Sequence, residues 1–189
     1  MTALLLGCIV LTSAHAEGKV EDYSETIKNF RQITEVKPFF SNAYGYAVFP
    51  TIGKGGVFIG GAYGEGQVYR GGKVTGFTSM TDLSIGFQLG GQAYSQIIFF
   101  QDKRAFTDYI KGNFEFSAQA GAIAVTSSAN ARSGTAGGAS AGAATSAGAG
   151  GNQAKVDYSK GMLVFVLGKG GLMYEATIAG QKYSYEPLK

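Results

Sequence analysis

From Gly45 the chain reads Gly45-Tyr46-Ala47-Val48-Phe49, then Val57–Ala62, Gly66–Tyr69, Lys73–Ser79, Leu83–Leu89 and Ala93–Phe100. These segments are short and rich in Val, Ile, Phe, Tyr and Thr, and glycines or polar turns separate them. Residues of these types fit a pleated, half-buried surface, and strands at this spacing predict a closed or nearly closed antiparallel sheet. Glycines inside the strand-like stretches (Gly60, Gly61, Gly64, Gly86, Gly90, Gly91) predict bulges, sharp bends or close backbone contact. The fold class is therefore mainly β with some α: a compact antiparallel β-barrel or sandwich of six to eight strands.

Outward from this block the periodicity changes. Between Gly18 and Val36 the apolar residues Val20, Tyr23, Ile27, Phe30, Ile33 and Val36 recur every three or four positions, opposite Glu21, Asp22, Glu25, Lys28 and Glu35. That spacing predicts an N-terminal amphipathic helix. Pro38 ends it, because Lys37 before proline is biased out of the α region. A short apolar turn, Phe39–Ala43, follows. Beyond Phe100, Asp102 is a good N-cap for a short helix with Phe106, Tyr109 and Ile110 on its apolar side and Gly112 as its stop. Phe114, Phe116, Ala118, Ala120, Ala122 and Ala124 then alternate with more polar residues, the pattern of a strand with a small-residue face. Asp157–Leu167 and Leu172–Tyr185 supply two closing strands. A weak repeat links Val48-Phe49, Gly53-Lys54-Gly55-Gly56 and Gly66–Tyr69 to Val164-Phe165, Gly168-Lys169-Gly170-Gly171 and Gly180–Tyr183, and reads as one hairpin used twice.

Residues 1–16 read as a signal peptide. They contain no Asp, Glu, Lys or Arg, hold an apolar run from Ala3 to Leu11, and close on Ala14-His15-Ala16, a small-x-small cleavage pattern. The run is far shorter than the about 20 residues a spanning helix needs. The absence of Lys or Arg before it points to a start upstream of Met1. The expectation is an exported protein of the periplasm or cell envelope, with lipidation at Cys8 as the alternative. Residues 17–189 then form a single domain. Within it, 129–151 is almost entirely Gly, Ala, Ser and Thr, which predicts a flexible loop.

Export removes Cys8, the sole cysteine, and His15, the sole histidine, and the chain has no tryptophan. Serine–histidine and cysteine–histidine nucleophiles and ordinary zinc sites are thereby excluded. Glu65, Asp82, Glu115 and Glu175 are carboxylates whose spacing pairs none of them for hydrolysis, and they read as solvated strand-face or turn residues. Gly53-Lys54-Gly55-Gly56 lacks the spacing and the Lys-Ser/Thr ending of a phosphate loop, and Gly64-Glu65-Gly66 meets Tyr69 where a dinucleotide fingerprint needs glycine. The sequence thus predicts no enzyme and no cofactor. Sixteen basic against thirteen acidic residues give a formal +3, which permits an anionic partner but falls short of a nucleic-acid binder.

The ordered series Gly45–Pro50, Gly53–Gly56, Gly60–Gly66, Ser84–Gln92, Ile97–Phe100, Gly112–Phe114 and Gly168–Met173 resembles the SYLF domain, over about Tyr23 to Tyr185. Eukaryotic SYLF domains bind phosphoinositides, including phosphatidylinositol phosphates, and actin, whereas bacterial members are exported and described as lipid-binding. The resemblance therefore implies a membrane lipid with an anionic headgroup as partner. It does not extend to actin, which an exported protein would not meet. The mixed charge of the Val20–Val36 segment assigns it to docking on the domain core rather than to a membrane surface. Candidate lipid-binding residues are Lys54, Arg70, Lys73 and Lys169, all beside glycine turns. A second reading, a small outer-membrane β-barrel or structural envelope protein, suits the glycine, tyrosine and phenylalanine content, but the two helices interrupt its strand series.

Overall fold

The computed structural model describes residues 20–53, 61–82, 93–112, 114–116, 123–125, 158–169 and 180–189. The signal segment, Lys54, Glu175, the strand-like stretches 83–89 and 172–178, and the 129–151 stretch lie outside the described residues. In chain order the elements are α1 (Ser24–Arg31), α2 (Phe39–Asn42), β1 (Gly45–Gly53), β2 (Ala62–Arg70), β3 (Lys73–Asp82), β4 (Tyr94–Phe100), α3 (Lys103–Ile110), β5 (Phe114–Glu115), β6 (Ile123–Val125), β7 (Met162–Gly168) and β8 (Gln181–Pro187). The strands form one sheet, in the order β5-β8-β3-β2-β1-β4-β7-β6. Seven strands are antiparallel and curl into a half-barrel, and β6 joins β7 in parallel. The protein is mainly β, as its strand-rich middle predicts.

The alternation of side chains splits this sheet into two apolar faces. Ala47, Phe49, Ile52, Val68, Met80, Ile98, Phe100, Val164, Val166 and Tyr183 point one way and pack against Ala105, Phe106 and Tyr109 of α3. Tyr46, Val48, Tyr69, Ile97, Phe99, Leu163 and Phe165 point the other way, under Phe30, Ile33 and Val36 and against Phe39 and Phe40. We call these the α3 face and the α1 face. All seven residues of β4 are buried, since this strand is covered on both sides. A register shift in β1 between Val48 and Thr51 adds a residue at Pro50, so that Phe49 and Ile52 both reach the α3 face despite their odd spacing.

The N-terminal helix is shorter than its periodicity predicts, eight residues from Ser24 to Arg31. The Asp22 carboxylate accepts from the Ser24 amide at 2.9 Å and fixes its start. After Arg31 the chain proceeds in single turns, with Ile33 N donating to Phe30 O, Val36 N to Ile33 O and Phe39 N to Val36 O. Ile33, Thr34 and Val36 are β-branched and propagate a helix weakly. The turns preserve the spacing of Phe30, Ile33 and Val36, which is why the apolar stripe survives without a continuous helix. The second predicted helix is found where expected: Asp102 Oδ1 accepts from Ala105 N at 2.8 Å, and Gly112 follows it at φ +74°.

The repeat of Gly-Lys-Gly-Gly turns does not correspond to a repeated strand pair among the described residues. β1 and β2 are neighbours, whereas β7 pairs with β4 and β8 with β3, so four strands lie between β7 and β8.

Candidate functional site

The β2–β3 connection is a two-residue turn. Arg70 and Lys73 are cross-strand partners, and Gly71 and Gly72 between them have φ of +58° and +77°. Two positive φ values define the turn that suits the twist of paired strands, and glycine adopts them without strain. The two cations are thus held side by side at the tip of a rigid hairpin. Both are exposed. The Arg70 guanidinium lies 6.0 Å from the centroid of the Phe106 ring, which brings α3 to the same end of the sheet.

Lys103, Arg104 and Lys111 of the α3 region and Lys160 in the turn before β7 are also exposed at this end. Gly161 is close enough to Arg104 that a β-carbon there would meet the guanidinium at 2.9 Å. Against these six cations stand two carboxylates. Asp102 lies 3.7 Å from Arg104, and Asp108 lies 2.8 Å from Lys111 and 3.7 Å from Arg104. The local excess is four positive charges. Asp108 is held below its usual pKa, first by the hydrogen bond from Lys111, so it stays ionised. No ion pair involves Arg70, Lys73, Lys103 or Lys160 among the described residues.

Lys169 sits elsewhere. Its Nζ donates to Thr51 Oγ1 at 2.6 Å, and its amide donates to Ala93 O at 2.9 Å, at the opposite end of the sheet. From the Gly45–Arg70 pair to the Gly53–Tyr63 pair is seven residues of β2, about 23 Å at ordinary strand rise. The predicted set therefore divides: Arg70 and Lys73 come together, Lys169 is far from them, and Lys54 lies outside the described residues. The carboxylates weighed for catalysis also lie apart: Glu65 is exposed on β2, Asp82 is buried at the end of β3, and Glu115 lies 3.7 Å from Lys182.

A second concave feature was not legible from the sequence. The part of the α1 face over β2, β3 and β8 is left open by the helices. Strand register arranges it in three rows: Gln67, Phe77 and Glu186; then Glu65, Ser79 and Ser184; then Tyr63, Thr81 and Lys182. The middle row is low because its serines are small, and they hydrogen-bond each other at 2.6 Å. Along one side runs the segment before α1, tied down by Gln67 Nε2 donating to Glu21 O at 3.1 Å. The result is a groove of about 440 Å³ whose walls include Glu21, Tyr23, Tyr63, Glu65, Phe77 and Glu186. It continues past Tyr63 toward Pro50 and Thr51 in a further 430 Å³. The lining residues span more than 160 positions of sequence. The only local signal is the alternation of Phe77, Ser79 and Thr81 along β3.

Fold and site together define a curled-sheet protein with one strongly cationic end and a separate acidic, aromatic groove. No family model matches the chain. Over 159 residues it is 27% identical to "Beta cell expansion factor A" of Aeromonas veronii, a match that covers 83% of this chain and 51% of that protein. The chain thus spans about half the length of that relative.

Proposed function

We propose that this chain is a non-enzymatic lipid-binding module of the cell envelope, exported and SYLF-like, that engages anionic headgroups through its cationic end. The observation that carries the reading is the excess of four positive charges at the end marked by Arg70 and Lys73. Surface cations draw an anionic bilayer with about 1 kcal/mol each, and a rigid two-residue turn holds two of them with little ordering cost. Lys169, about 23 Å away along the strands, cannot share one flat membrane contact with them. It marks a second, weaker candidate at the opposite end.

The outer-membrane barrel reading fits less well. In such a barrel the outward face meets lipid tails. Here the α1 face is either covered by the α1–α2 segment or studded with Glu65, Ser79, Lys182, Ser184 and Glu186. Val20 and Leu188 are the large hydrophobics exposed among the described residues.

The test is sedimentation with phosphatidylglycerol vesicles. Replacing both hairpin cations (Arg70→Ala with Lys73→Ala) should weaken binding roughly five- to thirty-fold, one to two such contacts expressed as a ratio. The pair Lys54→Ala with Lys169→Ala should change it less. The reverse order would move the site to the Lys169 end.

A further inference from the structure

The open groove on the α1 face has a sign and a texture opposite to those of the cationic end. Three carboxylates, Glu21, Glu65 and Glu186, line it together with the rings of Tyr23, Tyr63 and Phe77, and no lysine or arginine is among its lining residues. The cation closest in the strand register, Lys182, lies 3.7 Å from Glu115 on the neighbouring β5, so its charge is already countered. Glu65 accepts from the Tyr63 hydroxyl at 3.0 Å, which holds the carboxylate at the hydroxyl edge of that ring. Tyr23, Tyr63 and Phe77 are each partly exposed. All three rings line the groove together with Ser79 and Ser184 of its floor.

We infer that this groove binds a small organic ammonium ion, quaternary or primary, with no anionic group next to its nitrogen. Aromatic faces attract a soft cation through their quadrupole, and carboxylates at the rim supply the charge. Among the described residues no three acidic groups converge as metal ligands, which sets the site apart from a hard-cation cage built of convergent oxygens. A phosphate close to the ammonium would face the same three carboxylates and be repelled. That separates a free amine from a phospholipid headgroup as the source of the cation. The field is consistent with this assignment: the Tyr23 hydroxyl is pushed up to about 12, first by burial and then by the negative charges of Glu21 and Glu65.

The floor explains why the groove remains open. Ser79 and Ser184 are direct cross-strand partners, and any larger pair at these positions would fill the middle row. The depth of the site therefore depends on two residues 105 apart in sequence, joined by the pairing of β3 with β8. Neither serine is needed by the apolar core on the α3 face.

Calorimetric titration of the full chain with choline, at matched ionic strength, is the test, with neutral 3,3-dimethylbutan-1-ol as the isosteric control. Choline should bind at least about tenfold tighter than the alcohol, the fold-change for a desolvated cation on aromatic rings and carboxylates. Phosphocholine should bind more weakly than choline. The variant Glu65→Gln with Glu186→Gln should lose about tenfold in choline affinity, and Phe77→Leu should lose several-fold. Arg70→Ala with Lys73→Ala should leave choline binding unchanged, so failure of the lipid proposal and failure of this one are read separately. Equal binding of choline and the alcohol, or unchanged affinity in the Glu65/Glu186 variant with its circular dichroism intact, overturns the site. Phosphocholine or phosphatidylcholine vesicles binding as well as choline overturns its assignment to a free amine.

Discussion

At the scale of the residue, the sheet depends on glycines that no other side chain can replace. A β-carbon at Gly66 would meet Val48 O at 2.6 Å and the Phe49 ring at 2.8 Å, because β1 and β2 approach closely at the bulge around Pro50. Gly66→Ala should destabilise the protein by about 1–3 kcal/mol, the usual cost of overpacking, read as a lower urea midpoint with unchanged slope. The tyrosines give a pH signature. Burial raises the phenols of Tyr94, Tyr109 and Tyr183 above the usual value near 10 and pushes Tyr69 up to about 12. A phenol whose folded pKa is above its unfolded one contributes stability that is complete below pH 10 and is lost as pH rises from there toward the folded values. Stability should therefore be insensitive to these groups below pH 10 and fall above it. Of the eleven tyrosines, Tyr94, Tyr109 and Tyr183 should ionise only together with unfolding. Simultaneous titration of all of them near pH 10 in a folded protein would contradict this packing.

At the scale of the element, the covering segment on the α1 face is held by its apolar stripe rather than by helix propensity. Phe30 and Val36 are fully buried and Ile33 is 5% exposed, although only Ser24–Arg31 is α-helical. Phe30→Ala should cost about 3–5 kcal/mol, whereas removing the α3 cap with Asp102→Ala should cost about 1 kcal/mol. Chemical denaturation of the two variants checks the order. This contrast also explains what could be read in the sequence. Asp102, Gly112 and the Lys73–Ser79 alternation are local instructions, so α3 and β3 fall where they are expected. The three- and four-residue spacing from Val20 to Val36 specifies which side is buried but not whether successive turns join into one helix. The Gly-Lys-Gly-Gly repeat reads as one hairpin used twice, yet β7 and β8 are not neighbours, because turn chemistry does not determine sheet neighbours; the stretch just after the second turn lies outside the described residues. The groove was invisible for a related reason: Glu65, Ser79 and Ser184 become one row only through two long-range strand pairings.

At the scale of the whole molecule, charge is sorted by position in the sheet. The hairpin of Arg70 and Lys73, with Lys103, Arg104, Lys111 and Lys160, makes one end cationic, while the carboxylates of Glu21, Glu65 and Glu186 gather on the open part of the α1 face. A formal charge of only +3 conceals this separation, since sequence-level net charge averages over it. The candidate cations beside glycine turns divide along the same line: Arg70 and Lys73 are partners at the hairpin tip, whereas Lys169 reaches Thr51 at the other end, a division that no local signal in the sequence carries. The most direct measurement of the central claim is the partition of the protein between solution and vesicles of phosphatidylglycerol or of phosphatidylcholine, across a range of salt. The account predicts binding to the anionic vesicles that weakens as salt screens the surface charges, over about 10 Å at 0.1 M, and no comparable binding to the neutral ones. Equal partition into both, insensitive to salt, would contradict it.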